Sequence, residues 1–271
     1  MIKFIALFTM LIDHVGAIFF PGQLMYRYIG RLSMPLFAYC IARGFYYTKN
    51  RNKYMGLILL FALISQIPYS FMLQAAGSPN LHTLNILFTW FLALVFLMGL
   101  EGAKTSHPLI TGLLLVIPVV FPLFVRVEYG VFGVLTPLVF YFPLFYGKDK
   151  TEANANQQLT EPDKSHEPRE KISLTTLIPL ITKPNNIKRP QVIHSFEDYV
   201  AVTLLLTGLM MAYIHINRIV QWQLIAVLSV AFIPLVFKID RKVPLPKIFA
   251  YVFYPGHITL LVIINFLLQG G

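Results

Sequence analysis

Long apolar segments recur along almost the whole chain, and they restrict its fold more than any single motif does. Each segment is close to the length of about 20 residues that an α-helix needs to cross about 30 Å of hydrocarbon. Of the 271 residues, 56% are hydrophobic and 13% are charged, whereas a typical soluble domain has about 25% charged residues. We therefore predict an all-α, polytopic integral membrane bundle of about nine helices. The predicted spans are residues 3–20, 28–47, 54–73, 84–100, 108–125, 131–146, 199–216, 220–237 and 248–268.

The basic residues predict how these spans are oriented. Cytoplasmic loops of membrane proteins carry an excess of Lys and Arg, so the basic loop 49–53 is predicted to be cytoplasmic. This places the N-terminus inside and, with nine spans, the C-terminus outside. The same rule accounts for the net charge of +10, which in a soluble protein would suggest nucleic acid. We instead expect a multi-pass protein of the cell membrane that contacts the lipid bilayer and binds no nucleic acid.

The chain is predicted to form one membrane bundle interrupted by a polar segment. Residues 1–147 hold the first six spans and the proposed site, and residues 196–271 hold the last three spans of the same bundle. The segment 148–195 is rich in Lys, Glu, Asn, Gln and Pro, a mixture that cannot bury enough apolar surface to fold alone. It is predicted to be a flexible cytoplasmic loop. The first apolar segment lacks a small-x-small cleavage site, so we expect it to stay as a helix.

Ionisable residues inside the first two spans are the strongest functional signal. Asp13 and His14 lie near the middle of the first span, and Arg31 lies in the second. Such groups are costly at that depth and usually serve a function. Because neighbouring side chains on a helix diverge by about 100°, Asp13 is expected to brace another helix or to pair with an arginine. An Asp13–Arg31 pair that only locks two helices is the alternative, and Arg27 either shares the face of Arg31 or reaches the outer headgroups.

Depth along the helices predicts which polar residues meet His14. At about 1.5 Å per residue, His14, Gln66 and His257 each lie roughly 13–18 Å from the predicted inner boundary. We therefore predict a convergent site with Gln66 and His257 as candidate substrate or oxyanion contacts, and Asn85 of the fourth span is a further candidate. A hydrogen-bonded core residue is the alternative for His257. For Gln66 and Asn85, a helix–helix hydrogen bond is the alternative. Tyr129 belongs to a polar segment predicted to line the outer mouth, and it is a further oxyanion candidate.

The sequence lacks the motifs of several well-known classes of enzyme. It has no glycine-rich phosphate loop, no His-Glu-x-x-His and no Gly-x-Ser-x-Gly, which argues against nucleotide hydrolases, zincins and serine hydrolases. The single cysteine, Cys40, excludes an intrachain disulfide and a cysteine-based zinc cluster. We predict no metal cofactor.

Several short motifs lie in the membrane segments, and none of them lies in the polar loop. They are Lys3-Phe-Ile-Ala, Met10-Leu-Ile-Asp-His-Val-Gly-Ala17, Ile29-Gly-Arg-Leu-Ser-Met-Pro-Leu-Phe-Ala38, Gly44-Phe-Tyr-Tyr-Thr-Lys-Asn50, Lys53-Tyr54, Phe61-Ala-Leu-Ile-Ser-Gln-Ile-Pro68, Leu84-Asn-Ile-Leu-Phe-Thr89, Tyr129-Gly-Val-Phe-Gly133 and Phe253-Tyr-Pro-Gly-His257. Together they resemble the TraX family of conjugation-associated membrane proteins. The resemblance covers essentially all the membrane portion.

The resemblance implies acetyl transfer, because the best-known member of that family acetylates the N-terminus of conjugative pilin. It also implies kinship with transmembrane acyltransferases, which carry acetyl from cytosolic acetyl-CoA to an outer acceptor and commonly use a membrane histidine. We therefore predict an acyltransferase with His14, Asp13 and Arg31 as catalytic residues. Its acceptor is an amine or a hydroxyl, such as a pilin-like peptide or a cell-surface glycan.

Acetyl-CoA is the predicted donor, and its phosphates are expected on the basic inner face. The residues predicted to bind them are Arg43, Lys49, Arg51 and Lys53. The pantetheine arm, with a reach of roughly half a bilayer, would bring the thioester towards His14.

Two other functions remain open from the sequence. A proton-coupled transporter would use Asp13, His14 and His257 as a relay. Against it, the two halves show no evident inverted repeat and no matched pair of broken spans. A non-catalytic membrane assembly protein would consume no thioester.

Overall fold

The computed structural model describes residues 1–102, 107–145, 196–217, 221–231, 233 and 248–269. Nine α-helices with defined ends and one 3-10 helix occur in this part of the chain, and residues 229–231 and 233 are also α-helical. The α-helices are α1 (Ile2–Phe19), α2 (Leu24–Gly30), α3 (Ser33–Tyr47), α4 (Arg51–Ala75), α5 (Ile86–Gly102), α6 (Pro108–Phe124), α7 (Gly130–Leu144), α8 (Phe196–Asn217) and α9 (Phe249–Gln269). The 3-10 helix is Gln221–Leu228. The predicted polar loop 148–195 lies outside the described residues.

Several helices have the length and composition that a membrane requires. The four that are long and apolar enough to cross are α1, α4, α9 and residues Glu197–His215 of α8. The helices α5, α6 and α7 are apolar but shorter. On α6 only Pro118 is buried, while large side chains such as Leu123 and Phe124 are exposed. Water-soluble proteins rarely expose so much contiguous apolar surface, so these faces fit a lipid environment.

Seven of the nine predicted spans are confirmed as α-helices, with ends that move by at most three residues. The predicted span 28–47 is wrong as a single helix, because the chain turns at Arg31 and Leu32 between α2 and α3. Pro35 explains the break, since it has no N–H to donate to the carbonyl of Arg31. The hydroxyl of Ser33 donates instead to the carbonyl of Gly30 (2.7 Å).

The predicted eighth span, 220–237, differs in its first part, whereas its described residues 229–231 and 233 are α-helical as predicted. Residues Gln221–Leu228 form a 3-10 helix rather than the beginning of an α-helix. Residues 220, 232 and 234–237 lie outside the described part of the chain. The cytoplasmic placement of the N-terminus stays a prediction.

Helix packing places α1 at the centre of the region that matters for function. It contacts α2, α3 and α9, and α9 also lies along α4. The helix α5 packs against α4, α6 and α7, and α7 also contacts α3 and α8. The helix α1 is therefore flanked by three other helices, α2, α3 and α9.

A glycine permits the close approach of α2 to α1. A Cβ atom at Gly30 would collide with the carboxylate and Cβ of Asp13. We expect Gly30→Ala to lower the free energy of unfolding by about 1–3 kcal/mol, because the overpacked site must move a charged side chain. Thermal unfolding in detergent measures this effect.

Gly56 provides the matched control for that variant. It also lies in a helix, α4, but a Cβ there would meet nothing within 4 Å. Gly56→Ala is expected to be neutral or to stabilise by up to about 1 kcal/mol, because Ala favours helix. Equal unfolding temperatures for the two variants would contradict the close contact at Gly30.

Candidate active site

A polar cavity of about 420 Å³ lies beside the middle of α1. Its walls come from α1, α2, the second half of α4 and the connection between α6 and α7. The polar residues that line it are Asp13, His14, Arg27, Tyr28, Arg31, Tyr69, Ser78, Glu128 and Tyr129. The three residues predicted to be catalytic, Asp13, His14 and Arg31, therefore face one space. Tyr129, predicted to bind an oxyanion, faces it too.

The carboxylate of Asp13 pairs with Arg27 rather than with Arg31. The guanidinium of Arg27 lies 3.1 Å from Oδ2 of Asp13, and its side chain is 38% exposed. Oδ1 of Asp13 is buried and has no hydrogen-bond partner among the described residues. The alternative of an Asp13–Arg31 ion pair that joins the first two spans is thus not found. Arg31 follows α2 at the turn, and its guanidinium contacts Tyr129 instead.

Arg31 donates a hydrogen bond from Nη1 to the hydroxyl oxygen of Tyr129 (3.1 Å). Because that oxygen accepts from the guanidinium, the hydroxyl proton of Tyr129 remains available to a third group. Tyr129 has a left-handed backbone conformation, with φ 61°, which is uncommon for a bulky residue and often marks a functional position. The following residue, Gly130, also has positive φ.

The corner that carries Tyr129 is held by backbone contacts with the beginning of α5. The amide of Glu128 donates to the carbonyl of Leu84 (2.9 Å), and the amide of Leu84 donates to Arg126 (2.8 Å). The hydroxyl of Thr89 donates to the carbonyl of Glu128 (2.8 Å). These bonds fix the position from which Tyr129 enters the cavity.

Glu128 is a second carboxylate in the cavity, and it lies outside the helices in the connection between α6 and α7. Burial raises its pKa to about 7, and the nearby Asp13 carboxylate acts in the same direction. A hydrogen bond with the hydroxyl of Tyr69 opposes that shift. Sequence reasoning missed Tyr69, although it lies three residues after Gln66 and so projects from a similar side of α4.

The raised pKa of Glu128 predicts how stability depends on pH. Between its ordinary pKa of 4.5 and the folded value of about 7, the folded state holds a proton that the unfolded state has lost. The resulting stabilisation is complete below pH 4.5 and is lost as the pH rises to about 7. In detergent, the unfolding temperature of wild type should fall relative to Glu128→Gln across this window. Parallel curves for the two proteins would contradict the assignment.

His14 and His257 meet across α1 and α9, as their depths predict. Nδ1 of His14 lies 2.7 Å from Nε2 of His257, and both residues are buried, with His14 only 8% exposed. Nδ1 of His257 lies 2.6 Å from the carbonyl oxygen of Phe253. His257 does not line the cavity, so its predicted substrate contact is not supported by its position. It lies behind His14 instead.

Gln66 and Asn85 do not line the cavity either. The amide of Asn85 donates both to the Gln66 side chain (3.0 Å) and to the carbonyl of Ala62 (2.8 Å). The amide of Gln66 in turn donates to the carbonyl of Thr83 (3.1 Å). The alternative of helix–helix hydrogen bonds therefore describes both residues, and their oxyanion role stays a prediction.

The basic residues predicted to bind coenzyme phosphates lie at the other end of the helices. Arg51 begins α4, and at about 1.5 Å per residue it lies about 27 Å from Tyr69 of the cavity. Its guanidinium forms an ion pair with Glu101 and lies over the ring of Phe45 (4.5 Å). Because these two contacts already occupy the guanidinium, they argue against the prediction that Arg51 binds a coenzyme phosphate.

The other three basic residues of that set differ in their exposure. Arg43 is half-buried and lies over the ring of Tyr47 (5.6 Å). Lys49 and Lys53 are exposed, so they are the best placed of the four to meet an anion in solution. Among the described residues, no cluster of three or more His, Cys, Asp or Glu side chains is suited to a metal ion.

The fold and the site together define a class: a helical protein with membrane-length spans and a charged cavity beside its first helix. The model of one protein family, TraX protein, matches residues 1–159. The chain therefore belongs to the TraX family, which confirms the resemblance for the motifs between residues 3 and 133. The motif Phe253–His257 lies outside the matched residues.

Two curated proteins are similar to part of this chain. One is "Probable fimbrial assembly protein FimC, serogroup H1" of Dichelobacter nodosus, 36% identical over 118 residues, which cover 40% of this chain and 48% of that protein. The other is "Uncharacterized protein RP591" of Rickettsia prowazekii (strain Madrid E), 27% identical over 106 residues and 39% of each chain. The chain thus spans about half or less of these relatives. No solved structure matches it.

Proposed function

We propose that this protein is a membrane-embedded acyltransferase that moves an acetyl group from acetyl-CoA to an amine or hydroxyl acceptor. The observation that carries the proposal is the buried imidazole of His14 on the wall of a cavity that also holds Arg31 and Tyr129. A base and two hydrogen-bond donors around one space are what acyl transfer requires. Membership of the TraX family supports the same reaction.

In the proposed reaction His14 is the general base. It takes a proton from the acceptor as the acceptor nitrogen or oxygen attacks the thioester carbon. A bond then forms between the acceptor and the acetyl carbon, the carbon–sulfur bond breaks, and the proton passes from His14 to the departing sulfur. A transient acetyl-imidazole on His14 is the alternative route.

Charge develops on the acetyl oxygen during this attack, and the cavity offers donors for it. The guanidinium of Arg31 and the free hydroxyl proton of Tyr129 are adjacent, since the two side chains already share a hydrogen bond. Donors that are fixed before the reaction stabilise an oxyanion strongly in a site that excludes water. Asp13 would act through its ion pair with Arg27, which holds α2 against α1.

The donor is proposed to dock on the exposed Lys49 and Lys53 at the inner end of the bundle. His14 lies twelve residues along α1 from Ile2, a rise of about 18 Å. That is close to half the thickness of a bilayer, which matches the proposed reach of the pantetheine arm.

A non-catalytic role in pilus assembly is the second candidate, favoured by the name of the Dichelobacter relative. One assay separates it from acyl transfer. Purified protein in lipid vesicles receives radiolabelled acetyl-CoA together with a pilin-like peptide or a glycan. Acceptor-dependent release of CoA, with label on the acceptor, supports the proposal.

A matched acceptor makes this assay specific for amine transfer. The same peptide with a blocked N-terminus offers no free amine at that position, so it should receive no label. If neither peptide nor glycan stimulates release of CoA, the transferase proposal fails and the assembly role is preferred. Uptake of a solute without label transfer would favour a transporter.

A further inference from the structure

Two histidines and a backbone carbonyl form a continuous chain of short contacts behind the cavity. The chain runs from the carbonyl oxygen of Phe253 to Nδ1 of His257 (2.6 Å). It continues from Nε2 of His257 to Nδ1 of His14 (2.7 Å). The two imidazole planes are within 4° of parallel. Two rings stacked face to face cannot bring a pair of their nitrogens within 2.7 Å of each other. The two imidazoles therefore lie nearly in one plane and meet at their edges.

The donor and acceptor roles along this chain follow from its fixed end. A carbonyl oxygen only accepts, so Nδ1 of His257 carries the proton in that contact. Nε2 of a neutral His257 is then an acceptor. The contact at 2.7 Å needs one proton, and it must come from Nδ1 of His14. Nε2 of His14 is therefore left with a free lone pair.

We infer that His257 is a positioning residue that holds His14 in the Nδ1–H tautomer, with its basic Nε2 nitrogen available to the cavity. His14 lines the cavity, whereas His257 does not. Because Nδ1 of His14 is turned towards His257, the opposite edge of the ring is the one left for a substrate. The effect of this tautomer on catalysis rests on the proposed function. The tautomer itself can be measured on the protein without any substrate.

The surroundings of His257 hold its ring in place. The ring of Phe253 stacks on it, with centroids 4.8 Å apart and planes within 18°. The ring of Tyr254 lies edge-on to both histidines, with centroids 6.5 Å from His14 and 6.0 Å from His257. An imidazole packed in this way cannot easily rotate to exchange its two nitrogens.

Two substitutions at this position separate hydrogen bonding from packing. In His257→Gln the side-chain oxygen lies as many bonds from Cα as Nε2 does, so it can accept the Nδ1–H bond of His14. In His257→Phe a ring remains beside Phe253, but the acceptor is lost. Both variants leave His14 and the cavity lining intact.

The tautomer is read directly by nitrogen NMR on 15N-histidine-labelled protein in lipid bilayers, with His14→Ala assigning the signals of His14. We expect the Nδ1–H form in wild type and in His257→Gln. In His257→Phe we expect a shift towards the Nε2–H form and a fall in kcat of about 10- to 100-fold, by analogy with the loss of partners that orient metal-bound histidines. KM for the acceptor should change little.

The outcomes distinguish this inference from the proposed function. An Nε2–H form or an imidazolium at His14 in wild type overturns the inference, whatever the activity. So does a His257→Phe protein that keeps the wild-type tautomer. If the tautomer is as expected but no acceptor is acetylated, the positioning role stands and the transferase proposal fails. Should His257→Phe not fold, wild type and His257→Gln still decide the tautomer.

Discussion

Replacing His14 with Ala is expected to lower acetyl transfer by about 10²- to 10⁴-fold, the usual contribution of a general base. The imidazole is the basic ring on the wall of the cavity, and it is mostly buried. Its loss removes the group that would accept the proton from the nucleophile. Acceptor-dependent release of CoA by purified protein measures the change.

Two controls make the His14 experiment specific. His14→Gln keeps a hydrogen-bonding side chain beside His257 but offers no comparable base, so it should be nearly as inactive. His82 lies exposed in the connection between α4 and α5, and His82→Ala should keep full activity. His14→Ala is expected to lose about 1–3 kcal/mol of stability, because Nε2 of His257 stays buried without its partner. Activity is therefore compared at a temperature well below the unfolding temperature of the variant. Wild-type turnover in His14→Ala would remove this residue from the mechanism.

Replacing Arg31 with Met is expected to lower kcat by about 10²- to 10³-fold, the loss that follows removal of one oxyanion donor. Met keeps most of the aliphatic stem but removes the guanidinium, so the hydroxyl of Tyr129 loses its partner. Because the charge on the acetyl oxygen exists mainly in the transition state, KM should change much less than kcat. Steady-state kinetics at saturating donor separates the two constants.

A second arginine at the same end of the bundle provides the control. Arg126 is exposed and donates to the side chain of Asn80 (2.8 Å), and it does not line the cavity. Arg126→Met should therefore leave kcat unchanged. An equal loss in both variants would indicate a general electrostatic effect rather than an oxyanion contact at Arg31.

The sequence predicts the positions of the spans well because lipid demands long apolar helices, which are visible in the composition of each segment. The same logic brought together Asp13, His14 and Arg31, since ionisable groups in a membrane collect away from lipid. It also matched His14 with His257 by depth alone, although the residues are 243 positions apart. Depth, however, carries no information about rotation around a helix.

Some predictions are wrong or incomplete because depth does not specify the direction in which a side chain points from its helix. Gln66 has the same depth as His14, but it faces Asn85, the residue before α5. The partner of Asp13 was not determined because Arg27 and Arg31 lie one turn apart, and only the break after α2 decides between them. Tyr69 was missed because a tyrosine in an apolar span carries no signal of its own until a carboxylate is found beside it.

The anchoring of Arg51 affects how the inner end of the bundle can move. Glu101 at the end of α5 contacts both the guanidinium of Arg51 and the hydroxyl of Tyr141 on α7. The ring of Phe45 on α3 lies under the same guanidinium. These contacts join α3, α4, α5 and α7 at one level, so the two helices that flank the short loop between α3 and α4 are connected to each other as well as through the loop. If the proposed donor binds at Lys49, we expect this binding to require little ordering of the loop, because the helices on both sides of the loop are held by the contacts of Arg51.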